Sequence, residues 1–555
     1  FIILQMVYFL IAFAFLLLII NLVFKNRDKK ILAEIRSQWA RKKIKDRNIY
    51  LIGKYAAGNK FVGKYHRLTS QTLKDIDIES LFAILDRTTT GIGQQILFSK
   101  ILHPTDNLND LNETDLHSDY FKNEVSKRES AEKILYLLEQ NGTYRIADLF
   151  MLNASDNRAN SNLYKYLTGI AVAAIICLVF VPIITIALIP VFAVNIAIHY
   201  IYKNRNDTMY KLVAEAYGLV HAAQRLKTLD TCIDAASIPQ HVKALRPFVN
   251  SYRYLNLGIP GDDLSKALFY LVDLVKGAFL IDVHLLNKSY SELLKKSASL
   301  EHLYKIIGDF DLAISIASLK SDALLSTCSP LLISENKILN FTEAIHPLVE
   351  DCVPNSFSLT GKSAFITGSN MSGKSTFLRM VLINSILAQT LFICFAKSFS
   401  STLLKSFSSI KIDDDLLEGS SYFFKEVEIM KHMADQISLP ANNLFIIDEV
   451  FKGTNTVERI SLAKALLHFL NNPANMVIAS SHDLELIQLL SADFEMFHFT
   501  ETIKDNSLYF DHTIKSGALK TTNAIKIIEM EKFPQAIIDE AYQMTKEFKA
   551  GNLLQ

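Results

Sequence analysis

Two stretches of the chain are apolar and contain no Asp, Glu, Lys or Arg. The first is residues 1–24, FIILQMVYFLIAFAFLLLIINLVF, with Gln5 and Asn21 as its strongly polar members. As a helix it would be about 36 Å long, enough to cross a hydrocarbon core of about 30 Å. It lacks the basic start and small-residue cleavage site of a signal peptide, so the expectation is a transmembrane helix. The chain begins without Met, and a few residues are expected to precede it. The second stretch, Tyr166 to Tyr202, is too long for one span and short for two. Pro182 and Pro190 fall near its middle, and Lys165, Lys203 and Arg205 flank it. That pattern suits a membrane hairpin entering and leaving on the cytoplasmic side. A helical pair buried inside a globular domain is the other reading.

The remaining pattern is that of packed protein. Residues 203–250 and 262–328 carry apolar side chains at three-to-four spacing, as in Leu264, Leu268, Leu271, Val275 and Phe279. They predict long helices of a stalk or lever, with Pro260 and Gly261 punctuating the start of the second run. From about residue 355, short β-rich runs (SAFITG, NLFIIDE, NMVIASS) alternate with helical runs starting near residues 374 and 457. This rhythm predicts an α/β domain with a parallel sheet covered by helices.

Charge changes the picture locally. The 555 residues are half apolar and 21% charged, and Lys+Arg number 58 against Asp+Glu 57. That excludes a disordered chain and a globally basic nucleic-acid coat protein. Residues 25–67, however, hold 14 Lys/Arg and the three acids Asp28, Glu34 and Asp46. Next to an expected span this run reads as cytoplasmic and lipid-facing, with DNA phosphate as the alternative. Trp39 and Tyr50 are interleaved in it without a regular stacking spacing. The five cysteines are scattered with no CxxC pair, which argues against a thiolate zinc site or a disulfide framework.

The candidate chemistry begins at residues 368–375, GSNMSGKS, which fit G-x-x-x-x-G-K-[ST] after an apolar strand and before a helix. Glycines let such a loop wrap phosphates, and its backbone N–H groups with the helix N-terminus face the negative charge. Lys374 is expected to reach the β- and γ-phosphates and Ser375 to bind Mg²⁺. Residues 444–449, LFIIDE, read as a strand ending in two acids. Asp448 is placed to hold the Mg²⁺ shell, and Glu449 to orient or deprotonate the attacking water. Residues 478–482, IASSH, bring His482 to another strand end, where it could sense the γ-phosphate. The acidic triplet Asp413–Asp415 reads as a solvated loop rather than a metal cluster. Three such elements in order predict an ATPase.

These residues resemble the MutS family of DNA mismatch-repair ATPases. TGSNMSGKSTFLRM (367–380) resembles the family's phosphate loop, including its Asn and Met. DDLLEGSSYFFKEV (414–427) resembles the stretch carrying the signature serine, here Ser421, with Glu426 following. IDEVFKGTNTVERISLA (447–463) resembles the acidic strand end and Gly-Thr loop, and SSHDLELIQL (480–489) the switch-histidine segment. EAIHPLVED (343–351) is similar to the entry into the ATPase domain. SGALKTTNAIKIIEMEKFPQAIIDEA (516–541) is similar to a C-terminal helix-turn-helix lead-in. LFAILDRTTTGIGQQILFSKILHPTDNL (81–108) and DFDLAISIASL (309–319) look like parts of the family's core and lever.

The resemblance implies an ABC-type P-loop ATPase that works as a homodimer. Gly368, Ser369, Asn370, Met371, Ser372, Gly373, Lys374, Ser375 and Thr376 would bind ATP, with Mg²⁺ on Ser375 and Asp448. Glu449, His482 and Lys374 would be catalytic, and Ser421 would complete the site from the second subunit. It further implies DNA as a partner, mismatched or branched, and downstream repair proteins. The departures are a missing counterpart of the mismatch-reading domain in residues 1–70, Phe451 and Lys452 at the family's Gly-Arg positions, and Lys411 where an arginine is usual. The expected organisation is a transmembrane helix at 1–24, a basic juxtamembrane linker at 25–70 and core/lever helices at 71–165. The hydrophobic hairpin follows at 166–202, return helices at 203–335 and the ATPase domain at 336–555. The expected protein is membrane-anchored in the cell membrane, with lipid contacts at 1–24 and 166–202, and couples ATP turnover to DNA. A mechanical ATPase acting on a membrane or protein partner without DNA is the alternative. An ABC-type transporter is disfavoured, because three spans without Asp, Glu, Lys or Arg make a thin pathway.

Overall fold

The computed structural model describes residues 25–45, 47–58, 65–140, 142–151, 161–178, 185–255, 272–334, 337–369, 372–411, 422–438, 442–504, 507–519, 524–530 and 532–549, with Tyr8, Phe15, Leu18 and Leu22 singly. The chain divides into two compact units. One comprises Phe1–Val62, Leu85–Ser99 and Leu116–Asp322, and the other Gly63–Ile84, Lys100–Asp115 and Ala323–Gln555.

The described part of the first unit is helical. Its elements include α1 (Thr185–Arg205), α2 (Ile281–Lys295) and α3 (Ser297–Lys320). α3 is apolar on most of its circumference and is the buried axis of the unit, with Leu300, Leu303, Tyr304, Ile307 and Phe310 fully buried. Asp311 on α3 is buried too, and it survives there because three donors meet it. Thr89 N and Thr90 N each donate at 2.7 Å, and Thr90 Oγ1 at 2.6 Å. A carboxylate capping the turn where a helix starts at Gly91 satisfies amides the helix cannot.

Among the described residues, no helix is long and apolar enough to cross a membrane. This corrects the expected fold class with transmembrane helices and the expected integral location in the cell membrane. The Tyr166–Tyr202 stretch is divided between the helix Ser161–Leu178 and α1. The uncharged part of the first arm, from Tyr166 on, is only about 20 Å long at ~1.5 Å per residue. α1 contains Pro190, and its inner face is polar. Asn195 Nδ2 donates to Ala278 O at 2.8 Å, and Tyr202 OH to Asn287 Oδ1 at 2.8 Å. These two donors are satisfied by protein on the buried face of α1, while Ile170, Ile175, Ile176, Ile189, Val194 and Ile201 on the two arms are exposed. The residues joining the two arms lie outside the described residues, as does residues 1–24 apart from the four named.

Part of the basic run pairs within the first unit, while Lys25, Arg27, Lys29, Lys30, Arg41 and Lys42 are exposed. Arg36 forms a two-bond pair with Glu129, both at 2.7 Å. Arg47 Nε meets Asp86 at 3.0 Å, Lys54 meets Asp148 at 2.8 Å, and Lys43 Nζ donates to Thr88 O at 3.1 Å.

The second unit is mixed α/β. Its strands are β1 (Leu331–Ile333), β2 (Ile338–Ala344), β3 (Asn355–Thr360), β4 (Ser363–Thr367), β5 (Ser398–Thr402) and β6 (Lys405–Ser409). They continue as β7 (Asn443–Asp448), β8 (Met476–Ser481), β9 (Phe494–His498), β10 (Glu501–Lys504), β11 (Ser507–Phe510) and β12 (Lys515–Ser516). Its helices include α4 (Lys374–Ala388), α5 (Tyr422–Gln436) and α6 (Thr456–Leu470).

The main sheet runs β12-β9-β4-β8-β7-β6, parallel except for the β12 edge. β4, β7 and β8 are buried at every position, which is why they read as continuous apolar runs. Their core joins Phe365, Phe445, Ile447, Val477 and Ala479 to Met430 and Met433 of α5 and to Leu467 and Leu470 of α6. A smaller sheet, β1-β5-β2-β3, is largely antiparallel, and β3 alternates buried and exposed residues as a half-covered strand should.

Candidate functional site

The carboxyl ends of β4, β7 and β8 lie side by side. Thr367 pairs with Ser481, and Asp448 with Ser480, in parallel register. In open parallel sheets this edge is where ligands bind.

The 368–375 loop leaves β4 and turns into α4. Gly368 has φ +153° and Gly373 φ +110°. A Cβ on Gly368 would lie 2.9 Å from both Phe499 O and Ser372 Oγ, so the loop closes this tightly only around glycine. Lys374, the first residue of α4, is buried. Its Nζ donates to Gly368 O at 2.7 Å and Ser369 O at 2.8 Å. Burial lowers its pKa to about 8, against the pull of Asp448 and Glu449. Ser375 Oγ donates to one oxygen of Asp448, and Ser480 Oγ to the other. Ser372 Oγ donates to Ser369 O at 2.8 Å, and Ser369 Oγ to Glu501 Oε2 at 2.7 Å.

Glu449 follows the end of β7 in a left-handed turn, φ +57°, with its N–H bonded to Ser480 O at 3.0 Å. A non-glycine residue there costs about 1–2 kcal/mol and marks a position held by its surroundings. His482 Nε2 donates to Glu449 Oε1, and Lys452 Nζ lies 2.9 Å from Oε2. Burial alone would push the Glu449 carboxyl up. The His482 and Lys452 contacts outweigh it and hold the pKa at about 2. His482 Nδ1 lies 2.9 Å from Gly368 O and 3.4 Å from Lys374 Nζ. Lys374, Ser375, Asp448, Glu449 and His482 thus form one connected network. Asn370, Met371 and Ser421 lie outside the described residues, as does the triplet Asp413–Asp415.

Several residues to which the motifs assign no role build the surroundings. Arg459 of α6 grips Asp483 with two bonds, 2.9 and 2.7 Å, fixing the backbone just after His482. Glu426 of α5 is fully buried and accepts from Lys452 N at 3.2 Å, which anchors the loop after Glu449. Asn355 donates to His512 O at 3.0 Å and accepts from Ile514 N at 2.8 Å. His512 Nδ1 in turn lies 3.2 Å from Ser372 O. Beside the loop opens a cavity of about 380 Å³ lined by His346, Asn355, Lys374, Thr376, Phe377 and His512 among others. None of these contacts has a sequence spacing that could have revealed it.

The donor set fits a nucleotide with Mg²⁺. A buried ammonium bonded only weakly, to carbonyls, suits a phosphate, and a serine hydroxyl beside an aspartate offers the hard oxygen ligands that Mg²⁺ prefers. The adjacent cavity is of the size small-molecule sites occupy.

Strand order, glycine loop and strand-end carboxylates define the P-loop class of α/β domain. Within that class, residues 364–549 match the family model for MutS domain V. The DNA mismatch repair proteins MutS of Staphylococcus aureus strains MRSA252, JH9 and Newman are each 29% identical over 302 residues. The alignment covers 52% of this chain and 34% of each relative, so the chain spans about a third of the length of the curated relatives it matches. These similarities support a MutS-family protein.

Proposed function

We propose that the chain is a MutS-type ATPase that binds ATP with Mg²⁺, acts as a homodimer, and couples ATP binding and hydrolysis to DNA in a mismatch-repair-like or branched-DNA process. The observation that carries this reading is the joining of Lys374, Ser375, Asp448, Glu449 and His482 at three adjacent strand ends. Lys374 holds the phosphates, with the backbone of residues 368–376 around them. Ser375 and Asp448 hold Mg²⁺, which neutralises phosphate charge when bound. Glu449, held by His482 and Lys452 at the end of β7, orients or deprotonates the attacking water. His482 links Glu449 to the loop carbonyl of Gly368 and so relays loop geometry to the water site. Ser421 of the partner subunit completes the site, and ATP-bound dimers present a surface to repair proteins.

Lys374→Ala is expected to abolish ATP binding. Glu449→Gln is expected to leave binding intact and trap an ATP-bound dimer, visible by size exclusion with ATP. Ser421→Arg, hydrolysing ATP at the wild-type rate, would sink the composite site.

A second reading is an ATPase acting on a protein partner without DNA. It is favoured by the pairing of Arg36, Arg47 and Lys54 with carboxylates, which reduces the charge they offer to phosphates. The discriminating experiment is ATP turnover without DNA and with homoduplex, mismatched duplex or a four-way junction, at low and moderate salt, with Glu449→Gln as blank. Stimulation by one DNA form that survives moderate salt supports the DNA reading. Turnover indifferent to every DNA form supports the other.

A further inference from the structure

The first unit contains a buried cluster unrelated to the nucleotide site. His199 on α1, Asp273 in the helical segment 272–278 and Asp282 in the first turn of α2 converge at the turn that joins the last two. That turn is sharp, with Leu280 in a left-handed conformation, φ +52°, and it folds Asp273 and Asp282 back onto the same face of α1. Asn195, one helical turn before His199, pins the turn through Ala278 O. One nitrogen of His199 and one oxygen of each aspartate all lie within 4.8 Å of one another.

His199 is 1% exposed, and neither of its ring nitrogens has a hydrogen-bond partner among the described residues. A buried imidazole with two idle nitrogens is costly unless something is bound to it. Its Nε2 points at Asp273 Oδ1, 3.7 Å away, a gap too long for a hydrogen bond. Metal–ligand bonds of ~2.0–2.2 Å from a central ion would bridge such separations after small side-chain movements. We propose that His199, Asp273 and Asp282 bind a divalent first-row transition-metal ion, which staples α1 to the hairpin formed by segment 272–278 and α2. An imidazole with two carboxylates is a donor set for ions of the zinc or manganese type rather than for calcium. Tyr200 OH donates to Asp273 Oδ2 at 3.1 Å and orients that carboxylate, an outer-shell role.

Two cations compete with the ion. Lys276 Nζ lies 3.2 Å from Asp282 Oδ1 and also donates to Leu255 O at 2.7 Å. Lys203 Nζ lies 3.5 Å from Asp273 Oδ1, and its side chain is 44% exposed. Lys203 can swing into solvent when the ion enters, so removing it should help binding.

The test is Zn²⁺ titration by calorimetry of the chelator-washed full chain, in an Asp448→Asn background that silences the nucleotide-site cation. Co²⁺ absorption serves as a second readout. The expected result is one Zn²⁺ per chain, a Tm that rises with Zn²⁺, and a Co²⁺ spectrum showing nitrogen ligation. His199→Gln and Asp273→Asn should each weaken binding by more than about tenfold. Lys203→Ala should tighten it, a gain that misfolding cannot mimic. Absence of binding in the parent protein, or equal binding by His199→Gln, overturns the proposal and leaves the carboxylates as partners of the two lysines only. Failure of Lys203→Ala to tighten binding overturns the placement of Asp273 in the site.

Discussion

Lys374 sits at the residue scale of this molecule as a charge in the wrong solvent. Burial brings its pKa down to about 8, and the nearby Asp448 and Glu449 only partly restore it. A bound phosphate prefers the ammonium form. ATP affinity should therefore be full below pH 8 and fall as pH rises through it, by up to about tenfold per unit. Binding of a fluorescent ATP analogue, followed from about pH 7 to about pH 9, reads this directly. Lys374→Arg keeps its charge throughout and should flatten the profile, whatever it does to absolute affinity. A wild-type affinity flat over that range would mean that the ammonium is not destabilised. Glu449 is the complementary case. Its contacts with His482 and Lys452 outweigh burial and bring its pKa down to about 2, so Glu449 is not expected to give the turnover profile an acid limb.

At the scale of elements, α5 and the loop after β7 act together through Glu426. This side chain is fully buried, and burial pushes its carboxyl up while the N–H groups of Lys452, Phe451 and Gly453 pull it back down. Removing it leaves those amides without a partner, at about 1–3 kcal/mol. Glu426→Ala should lower the denaturant midpoint by that order. It should also lower kcat more than it raises KM for ATP, because the loop positions Lys452 against Glu449. Equal effects on kcat and KM would argue that the whole site had loosened.

The same scale explains what the sequence could disclose. The strand–helix alternation is legible because β4, β7 and β8 are buried at every position, so their central residues are apolar runs, and each is followed by a helical period. The expectation of a membrane hairpin at 166–202 rests on mean hydropathy, which does not register where a stretch breaks into shorter helices or which of its polar members pair within the protein. Asn195 and Tyr202 are such members, but their partners Ala278 and Asn287 lie more than eighty residues away. Arg459 with Asp483, and Glu426 with the 451–453 loop, are separated by 24 and 26 residues and follow no motif. They become visible only when the sheet has brought the strand ends together.

At the scale of the whole molecule, acid is expected to act on the unit that carries the nucleotide site through two buried histidines. His66 is 7% exposed, with Nε2 3.0 Å from Ser406 O and its ring against Phe407. Burial brings its pKa down to about 4, although the Ser406 bond opposes this. His346, 5% exposed, is likewise lowered to about 4 by burial, with Arg379 adding to the effect. In the unfolded chain both would titrate near ~6.5. A depressed folded pKa means stability that is complete above that value and lost as pH falls toward 4. The loss is up to about 1.4 kcal/mol per unit for each histidine. Asp75 and Glu426, whose carboxyls burial raises, act with the opposite sign lower in the acid range. The decisive quantity is therefore a difference. His66→Gln, which keeps a donor for Ser406 O, and His346→Gln should each cost stability at neutral pH. Both should lose less of what remains on acidification than the wild type does. Denaturant unfolding of wild type and double variant, at about pH 7.5 and about pH 5, measures it. Parallel losses in the two proteins would mean that folding does not lower the pKa of these histidines, and their burial would then have to be offset by partners other than Ser406.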